Sequence, residues 1–176
     1  MNQVAEKPDK SHIFVRRTIK KCLDNPGIAA TLRRADNPNT EYQSWDYLAS
    51  FQIDLDKAYV RLPYATIAAA IAKAEPRQNG RIGIGRAIAL SYEDDNQDPP
   101  AKAKLRRLLA CDSTEEVCSV LRPLFSLTNS RVSTDLDYSR LLSDLLFFNK
   151  DAERIKSRWA QDFYYRPIQE EMDDSE

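Results

Sequence analysis

The side chains that could carry out chemistry in this chain are few, and their spacing does not favour catalysis. The 176 residues include a single histidine, His12, and one histidine beside a polar N-terminal segment offers no partners for a catalytic triad or a metal site. Four acids, Glu93, Asp94, Asp95 and Asp98, could hold a divalent metal, but they lack the ligand spacing of a calcium loop and precede two prolines. We interpret them as a solvated loop, and we expect a protein that is not an enzyme and uses no cofactor.

A glycine-containing segment is the second candidate for ligand binding. The spacing of Gly80, Gly83 and Gly85 matches neither the dinucleotide-binding fingerprint nor a phosphate-binding loop, and no parallel-strand pattern precedes it. Two interpretations remain open. The glycines allow a turn with close helix approach, or amides at a helix start bind phosphate with help from the flanking Arg81 and Arg86.

The cysteines and the hydropathy pattern indicate a cellular compartment. Cys22, Cys111 and Cys118 form no Cys-x-x-Cys pair, and any disulfide scheme would leave one of them unpaired, so we expect reduced thiols packed as small apolar groups. The first ten residues are polar, and no run of about eighteen apolar residues occurs anywhere. We therefore expect a cytoplasmic protein that is neither secreted nor membrane-spanning.

Positive charge is concentrated near the start of the chain. Residues 10–34 contain seven Lys or Arg and one acid, whereas residues 170–176 contain five acids and no base, which leaves a formal charge of +4 on the chain before them. A basic run by itself is more often a solvated helix face than a nucleic-acid footprint. Its meaning therefore depends on the elements that carry it.

Apolar spacing predicts that helices carry these charges. A helix over residues 12–23 would turn Val15, Ile19, Cys22 and Leu23 inward and keep its bases on the outer face. Asn25 followed by a proline predicts an N-cap and the start of a short helix that ends near the Arg33-Arg34 pair. A third helical stretch is predicted to begin over 45–52, with its end left open, and further helices are predicted over 63–74 and 86–92.

The second half of the chain also reads as helical. Ser113 with Glu116 predicts a capping box, and Asp135 or Asp137 can cap the helix that follows. Ile155, Trp159 and Phe163 form a stripe at intervals of four in the last helix, so the two aromatic rings are interpreted as core side chains rather than base-stacking platforms.

No segment alternates as a strand does, and the fold class expected is all-α, with two small helical lobes forming a helical-bundle protein. The predicted organisation is a flexible N-terminus (1–10), an N-terminal helical lobe (11–92), an acidic linker (93–101), a C-terminal helical bundle (102–166) and an acidic tail (167–176).

Four segments taken in order resemble the CasB family, the small subunits of type I-E CRISPR Cascade complexes. They are Leu23-Asp24-Asn25 with Leu32-Arg33-Arg34-Ala35, then Gly83-Ile84-Gly85-Arg86-Ala87, then Leu108-Leu109 with Asp112, and a final run from Asp137-Tyr138 to Arg158-Trp159-Ala160-Gln161-Asp162-Phe163-Tyr164. The chain departs from the family pattern at Ala110, near which an arginine is common, and at Phe148, where a tryptophan is common. Nearby Lys104, Arg106 and Arg107 could supply the missing charge.

The resemblance implies a non-catalytic helical subunit that lines the ribonucleoprotein as a head-to-tail dimer. Its implied partners are CRISPR RNA, target DNA, the backbone and large subunits of Cascade, and a second copy of itself, with no membrane. With the charge pattern, it predicts binding to the backbones of CRISPR RNA, target strand and displaced strand without sequence preference, which would stabilise the R-loop. The residues expected to bind are Lys20, Lys21, Arg33, Arg34, Arg86, Lys104, Arg107, Arg122, Arg154 and Arg158.

Two alternatives from other functional classes remain. The basic faces could bind acidic proteins as a helical adaptor. The acids at 93–98 could instead serve a metal-dependent nuclease.

Overall fold

The chain folds into helices joined by short turns. The structure, a computed structural model, describes residues 9–165 and contains eight α-helices and no β-strand within that range. The helices are α1 (Lys10–Asp24), α2 (Pro26–Arg33), α3 (Trp45–Ala49), α4 (Ala58–Ala74), α5 (Ile84–Leu90), α6 (Pro99–Leu109), α7 (Thr114–Arg131) and α8 (Tyr138–Tyr164). The all-α prediction is confirmed. Residues 1–8 of the predicted flexible N-terminus and the predicted acidic tail (167–176) lie outside the described residues.

The junction of α1 and α2 forms as predicted. The Asn25 side chain accepts hydrogen bonds from the first amides of α2, and Pro26 occupies the first helical position, where its missing N–H costs nothing. The predicted burial of Leu23 on the apolar face of α1 is wrong, because this side chain is 51% exposed. Successive helical residues are about 100° apart, so Leu23 lies about 40° beyond Ile19, just past the edge of the arc that the buried residues of α1 occupy.

Helix α4 forms the centre of the fold. All positions from 63 to 72 are buried, and α4 packs against α1, α2, α7 and α8. The many alanines among these positions allow the neighbouring helices to approach closely. The predicted start at Pro63 is wrong, since α4 begins at Ala58. Because Pro63 has no N–H, the carbonyl of Tyr59 lacks its helical hydrogen-bond donor. Tyr59 is 44% exposed, so water can donate a hydrogen bond to that carbonyl instead.

Helix α8 reverses direction at Asp151, whose backbone is non-helical (φ −142°, ψ 35°). Across this bend the Phe148 and Trp159 rings stack with centroids 5.9 Å apart, and a nitrogen of Arg140 lies 3.5 Å from an Asp162 oxygen. In one straight helix the latter two residues would lie about 33 Å apart. Helix α8 is therefore a pair of antiparallel arms, and these correspond to the two helices predicted here.

The predicted linker at 93–101 is largely helical. It contains a 3₁₀ turn, Asp95–Gln97, and the start of α6, and the Asp98 side chain accepts from the Ala101 amide as the N-cap. Glu93 and Asp94 are exposed, as the interpretation of a solvated loop requires. That interpretation is wrong for Asp95 and Asp98, which are half-buried and make local hydrogen bonds. Apolar side chains from both sides of this segment meet in one core, and the division into lobes stays a prediction.

The cysteines are free and buried, as predicted. Burial raises the pKa of the Cys22 thiol to about 11 and that of Cys118 to about 12. Both thiols are therefore protonated and unreactive near neutral pH. None of the helices between residues 9 and 165 combines the length and apolar character needed to cross a lipid bilayer.

Candidate nucleic-acid interface

Six of the ten predicted binding residues are exposed, and four of these six lie on α1 and α6. Lys20 and Lys21 project from α1, and Lys104 and Arg107 lie one turn apart on α6. Among residues 9–165 none of the four forms an ion pair. Each helix buries its apolar stripe against the core, which leaves the bases on the opposite face. These side chains are free to contact phosphates.

The Arg33-Arg34 pair divides into a structural arginine and an exposed one. The Arg33 Nε donates to the Ala72 carbonyl oxygen at 2.9 Å, and a terminal nitrogen lies 2.5 Å from a Glu75 oxygen. These bonds attach the end of α2 to the end of α4. Arg34 is exposed and donates only to the neutral side chain of Gln43 at 2.9 Å, so its full positive charge faces solvent.

Arg86 is held by the acidic segment that follows α5. Its guanidinium donates to an Asp95 oxygen at 2.7 Å, and both side chains are partly exposed. Asp95 adopts a left-handed backbone conformation (φ 52°), which is uncommon for a residue other than glycine. This ion pair neutralises one of the two arginines that flank the glycine segment.

The glycine segment packs closely against other backbone. A Cβ added at Gly80 would lie 1.8 Å from the Asp135 carbonyl oxygen, and one added at Gly85 would lie 1.9 Å from that of Trp159. Real side chains cannot occupy such space, so these positions require glycine for contact between elements. Of the two open interpretations, close helix approach explains these positions; Arg81 remains an exposed cation beside the segment.

Arg154 and Arg158 lie on the second arm of α8, and both pair with acids. Arg154 Nε is 3.3 Å from Asp151. Arg158 donates to Asp144, which is buried and also accepts from the Trp159 indole N–H at 2.8 Å. Burial raises the pKa of Asp144, while the bonds from Trp159 and Arg158 act in the opposite direction. Arg158 therefore links the two arms.

Arg122 lies on α7 and is half-buried. Its Nε is buried without a hydrogen-bond partner in the described part of the chain. Its charge is close enough to Cys118 to oppose the effect of burial on the pKa of that thiol. Arg122 is thus more inward than the exposed bases of α1 and α6.

The structure does not bring the ten predicted residues into one cluster. Helix α1 packs mainly on α2, α4 and α8, and α6 packs mainly on α5, α7 and α8, so the two basic helices share α8 as a neighbour and differ in the others. Sequence reasoning left out four more exposed cations on these same helices, Lys10, Arg16, Arg17 and Arg106. The one-turn spacing of Arg16 with Lys20 and of Arg17 with Lys21 was the available signal.

Acidic and thiol side chains give little support to the nuclease alternative. Between residues 9 and 165 no group of three or more His, Cys, Asp or Glu side chains is placed to hold a metal ion. The acids at 93–98 instead include a partner for Arg86 and the cap of α6.

Comparison with known proteins identifies the fold and the family of this chain. The structure is similar to M. ruber CasB (TM-score 0.71, 23% identity, covering 90% of this chain and 94% of that one) and to CasB from Thermus thermophilus (0.66, 21%, 88% and 97%). It is also similar to a chain of a structure described as a CRISPR RNA-guided surveillance complex (0.64, 21%, 88% and 90%). At these identities the likeness shows the fold. A comparison with curated proteins finds no match. The family model for CRISPR-associated protein Cse2 matches residues 29–164, and the chain therefore belongs to the Cse2 family.

Proposed function

We propose that this chain is a non-catalytic small subunit of a type I-E CRISPR Cascade ribonucleoprotein that acts in the cytoplasm beside a second copy of itself and the backbone and large subunits. The observation that carries the proposal is the family match over residues 29–164. The exposed bases of α1 and α6 supply a physical means, because cations without nearby acids bind phosphates through electrostatics and counterion release.

The mechanism follows from the division of labour in RNA-guided recognition. Pairing between guide and target reads the sequence, so the protein needs only to hold backbones and keep the opened strands apart. The exchange of a DNA duplex for an RNA–DNA duplex is nearly balanced in free energy. A few phosphate contacts to CRISPR RNA, the target strand and the displaced strand can therefore favour the open R-loop.

Binding by the purified full chain is the first test. We expect weak binding to single- and double-stranded DNA and RNA, with no sequence preference and strong weakening by salt. Replacing Lys104 and Arg107 with glutamine should reduce the slope of log affinity against log salt on a single strand by about 1.4, at about 0.7 for each phosphate that is no longer neutralised.

The matched control for that variant is the Arg77→Gln/Lys150→Gln protein, which removes two exposed cations that are not among the proposed binding residues. Its slope should be close to that of the unmodified protein. A shallow slope in the unmodified protein, or a clear preference for one sequence over scrambled sequences of equal length, would count against backbone binding.

The second test measures R-loop stabilisation in the assembly. Omitting this subunit should weaken capture of duplex target much more than capture of a pre-opened single strand. Guide pairing with a free strand is strongly favourable on its own, whereas opening a duplex is nearly balanced, so the phosphate interactions of this subunit matter mainly for the duplex. Equal weakening on the two substrates would mean that the subunit supports the architecture alone, and cleavage that a chelator abolishes would contradict a non-catalytic role.

A further inference from the structure

A cleft of about 590 Å³ lies between the two arms of α8, the start of α1 and the turn that contains Asn79. Its volume is within the range of about 300–1,000 Å³ that is usual for small-molecule sites. None of the exposed bases of α1 and α6 lines it, so it is separate from the surfaces proposed to bind phosphates. We call this feature the α8 cleft.

Hydrogen-bond donors in the walls of the α8 cleft lack partners. The Ser139 side chain is 8% exposed, and its hydroxyl has no partner among residues 9–165. The Nε of Arg158 is also buried and unpartnered there. The Arg140 guanidinium meets the Asp162 carboxylate only at 3.5 Å, which is longer than an ordinary hydrogen bond. Buried donors cost free energy until a water or a ligand accepts from them, so these walls favour a ligand with acceptor atoms.

Carboxylates form the rest of the polar lining. Asp9, Asp137 and Asp151 border the cleft, and each has an oxygen that makes no hydrogen bond or ion pair within residues 9–165. The lining contains four aspartates and three arginines, which gives a formal charge of −1 with His12 neutral. Such a lining repels a phosphate and favours an uncharged ligand that has donor atoms as well as acceptors.

Phe147 gives the α8 cleft an aromatic surface. Its side chain is 56% exposed and is not part of the hydrophobic core, whereas its neighbour Phe148 is buried and stacks on Trp159. Within the described residues the Phe147 ring contacts no other ring. An exposed ring beside polar walls offers a stacking surface to a planar ligand.

A planar, uncharged ligand with acceptors on one edge and donors on the next has the chemistry of a nucleobase, and guanine matches these walls best. Its O6 and N7 are adjacent acceptors to which an arginine donates. Its N1–H and 2-amino groups are adjacent donors that a carboxylate can accept. Adenine and cytosine instead present an amino group on the edge where arginine would donate, so they would leave donors facing donors.

From this geometry we infer that the α8 cleft binds a single guanine base, stacked on Phe147, with its acceptor edge towards Arg140 and Arg158 and its donor edge towards the aspartates. Two sources share this chemistry, a free guanosine nucleotide and an unstacked guanine of a bound strand. The inference goes beyond the proposed function, because binding to backbones reads no base. It adds a preference for guanine content, which a comparison with scrambled sequences of the same composition does not detect.

The test titrates the full chain with uncharged nucleosides in a calorimeter. Nucleosides carry no phosphate, so the measured affinity should not change between about 50 and 200 mM salt, unlike binding to oligonucleotides. Guanosine should bind at least about tenfold more tightly than adenosine or cytidine, which is the usual discrimination by a matched pair of hydrogen bonds to a base. Inosine, which lacks the 2-amino group, should bind less tightly than guanosine.

Two variants test the walls. Phe147→Ala should weaken guanosine binding by about tenfold through the loss of stacking, and its circular dichroism should be unchanged because the ring is exposed. Tyr42→Ala is the matched control, since it removes a ring that is 59% exposed and lies outside the cleft, and it should leave the affinity unchanged. Ser139→Ala should weaken guanosine binding by about fivefold through one lost hydrogen bond, and it provides a second measurement if the Phe147 variant unfolds.

Two oligonucleotides distinguish the sources of guanine. If a strand supplies it, a thymidine run with one central guanosine should bind more tightly than the uniform run, and Phe147→Ala should remove the difference. Guanosine binding without that difference assigns the cleft to a free nucleotide. The inference is overturned if guanosine binds no more tightly than adenosine, or if Phe147→Ala and Tyr42→Ala behave alike. Failure of the proposed function is distinct, because the unmodified chain would then show no salt-dependent binding to oligonucleotides.

Discussion

Replacing Asp144 with alanine should destabilise the protein more than any surface change to a charged residue. Asp144 is 4% exposed and accepts two hydrogen bonds from the opposite arm of α8, one from Arg158 and one from the indole N–H of Trp159. The substitution removes both bonds and leaves both donors in place. It therefore tests whether this carboxylate holds the two arms together.

The size of the effect follows from the exposure of each donor. The Trp159 ring is 2% exposed, so its N–H would remain buried without a partner, at a cost of about 1–3 kcal/mol. The Arg158 side chain is 33% exposed, so water can replace part of a bond to a charged group that is otherwise worth about 1.5–3 kcal/mol. Together these give a decrease of about 3 kcal/mol in the free energy of unfolding.

The pH dependence of this residue has an unusual sign for a carboxylate. Burial raises the pKa of Asp144 above its ordinary value of 3.8, so in acid the folded state binds the proton more tightly than the unfolded state does. The contribution of Asp144 to stability is therefore fully present below its ordinary pKa and is lost as the pH rises through its folded pKa. Relative to the Asp144→Asn protein, which has no such titration, the unmodified protein should become more stable as the pH falls towards 4.

Urea denaturation monitored by tryptophan fluorescence and circular dichroism measures both effects. Asp112→Ala is the control, because that side chain is 95% exposed and lies 3.9 Å from its nearest cation, and it should change stability by less than about 0.5 kcal/mol. The reasoning is refuted if Asp144→Ala costs no more than the control, or if the unmodified protein loses stability relative to Asp144→Asn as the pH falls.

Three further outcomes are expected. Gly85→Ala should lower the free energy of unfolding by more than about 2 kcal/mol in denaturation experiments, because its Cβ would lie 1.9 Å from the Trp159 carbonyl oxygen. Gly27→Ala, at an exposed site, is the control and should be close to neutral. Asn79→Ala should lower the free energy of unfolding by about 1–2 kcal/mol, since the Asn79 side-chain oxygen accepts from the first two amides of α8. A smaller change in melting temperature than that of Gly27→Ala would contradict this prediction. Arg34→Ala should weaken oligonucleotide binding with unchanged circular dichroism, and intact binding would make Arg34 a solvated residue without a binding role.

Local patterns were sufficient to predict much of the helical framework. Asn25 followed by proline predicted the junction of α1 and α2, and Ser113 with Glu116 predicted the start of α7, because caps depend on residues within a few positions. The stripe of Trp159 and Phe163 predicted their burial, and both are buried. The predicted start of α4 at Pro63 is wrong, because the exposure of Tyr59 permits a proline inside the helix.

The candidate site was harder to predict because exposure of a base depends on residues that are distant in the sequence. Arg33 pairs with Glu75, 42 positions away, and Arg158 pairs with Asp144 only because α8 reverses. No local pattern marks these pairings. Periodicity identifies which bases face outward, and tertiary contacts decide which of those remain unpaired.

The reversal of α8 at Asp151 also bears on how the chain folds. The contacts between its two arms join residues separated by only about a dozen to two dozen positions, and short loops close quickly and at low entropic cost. Asp137 is the N-cap of the first arm, and the first two amides of that arm also donate to the Asn79 side chain, about 60 positions away; such long-range contacts form more slowly. We expect this hairpin to be structured early in the folding transition state and the Asn79 cap to form late, so that Phe148→Leu slows folding while Asn79→Ala mainly speeds unfolding.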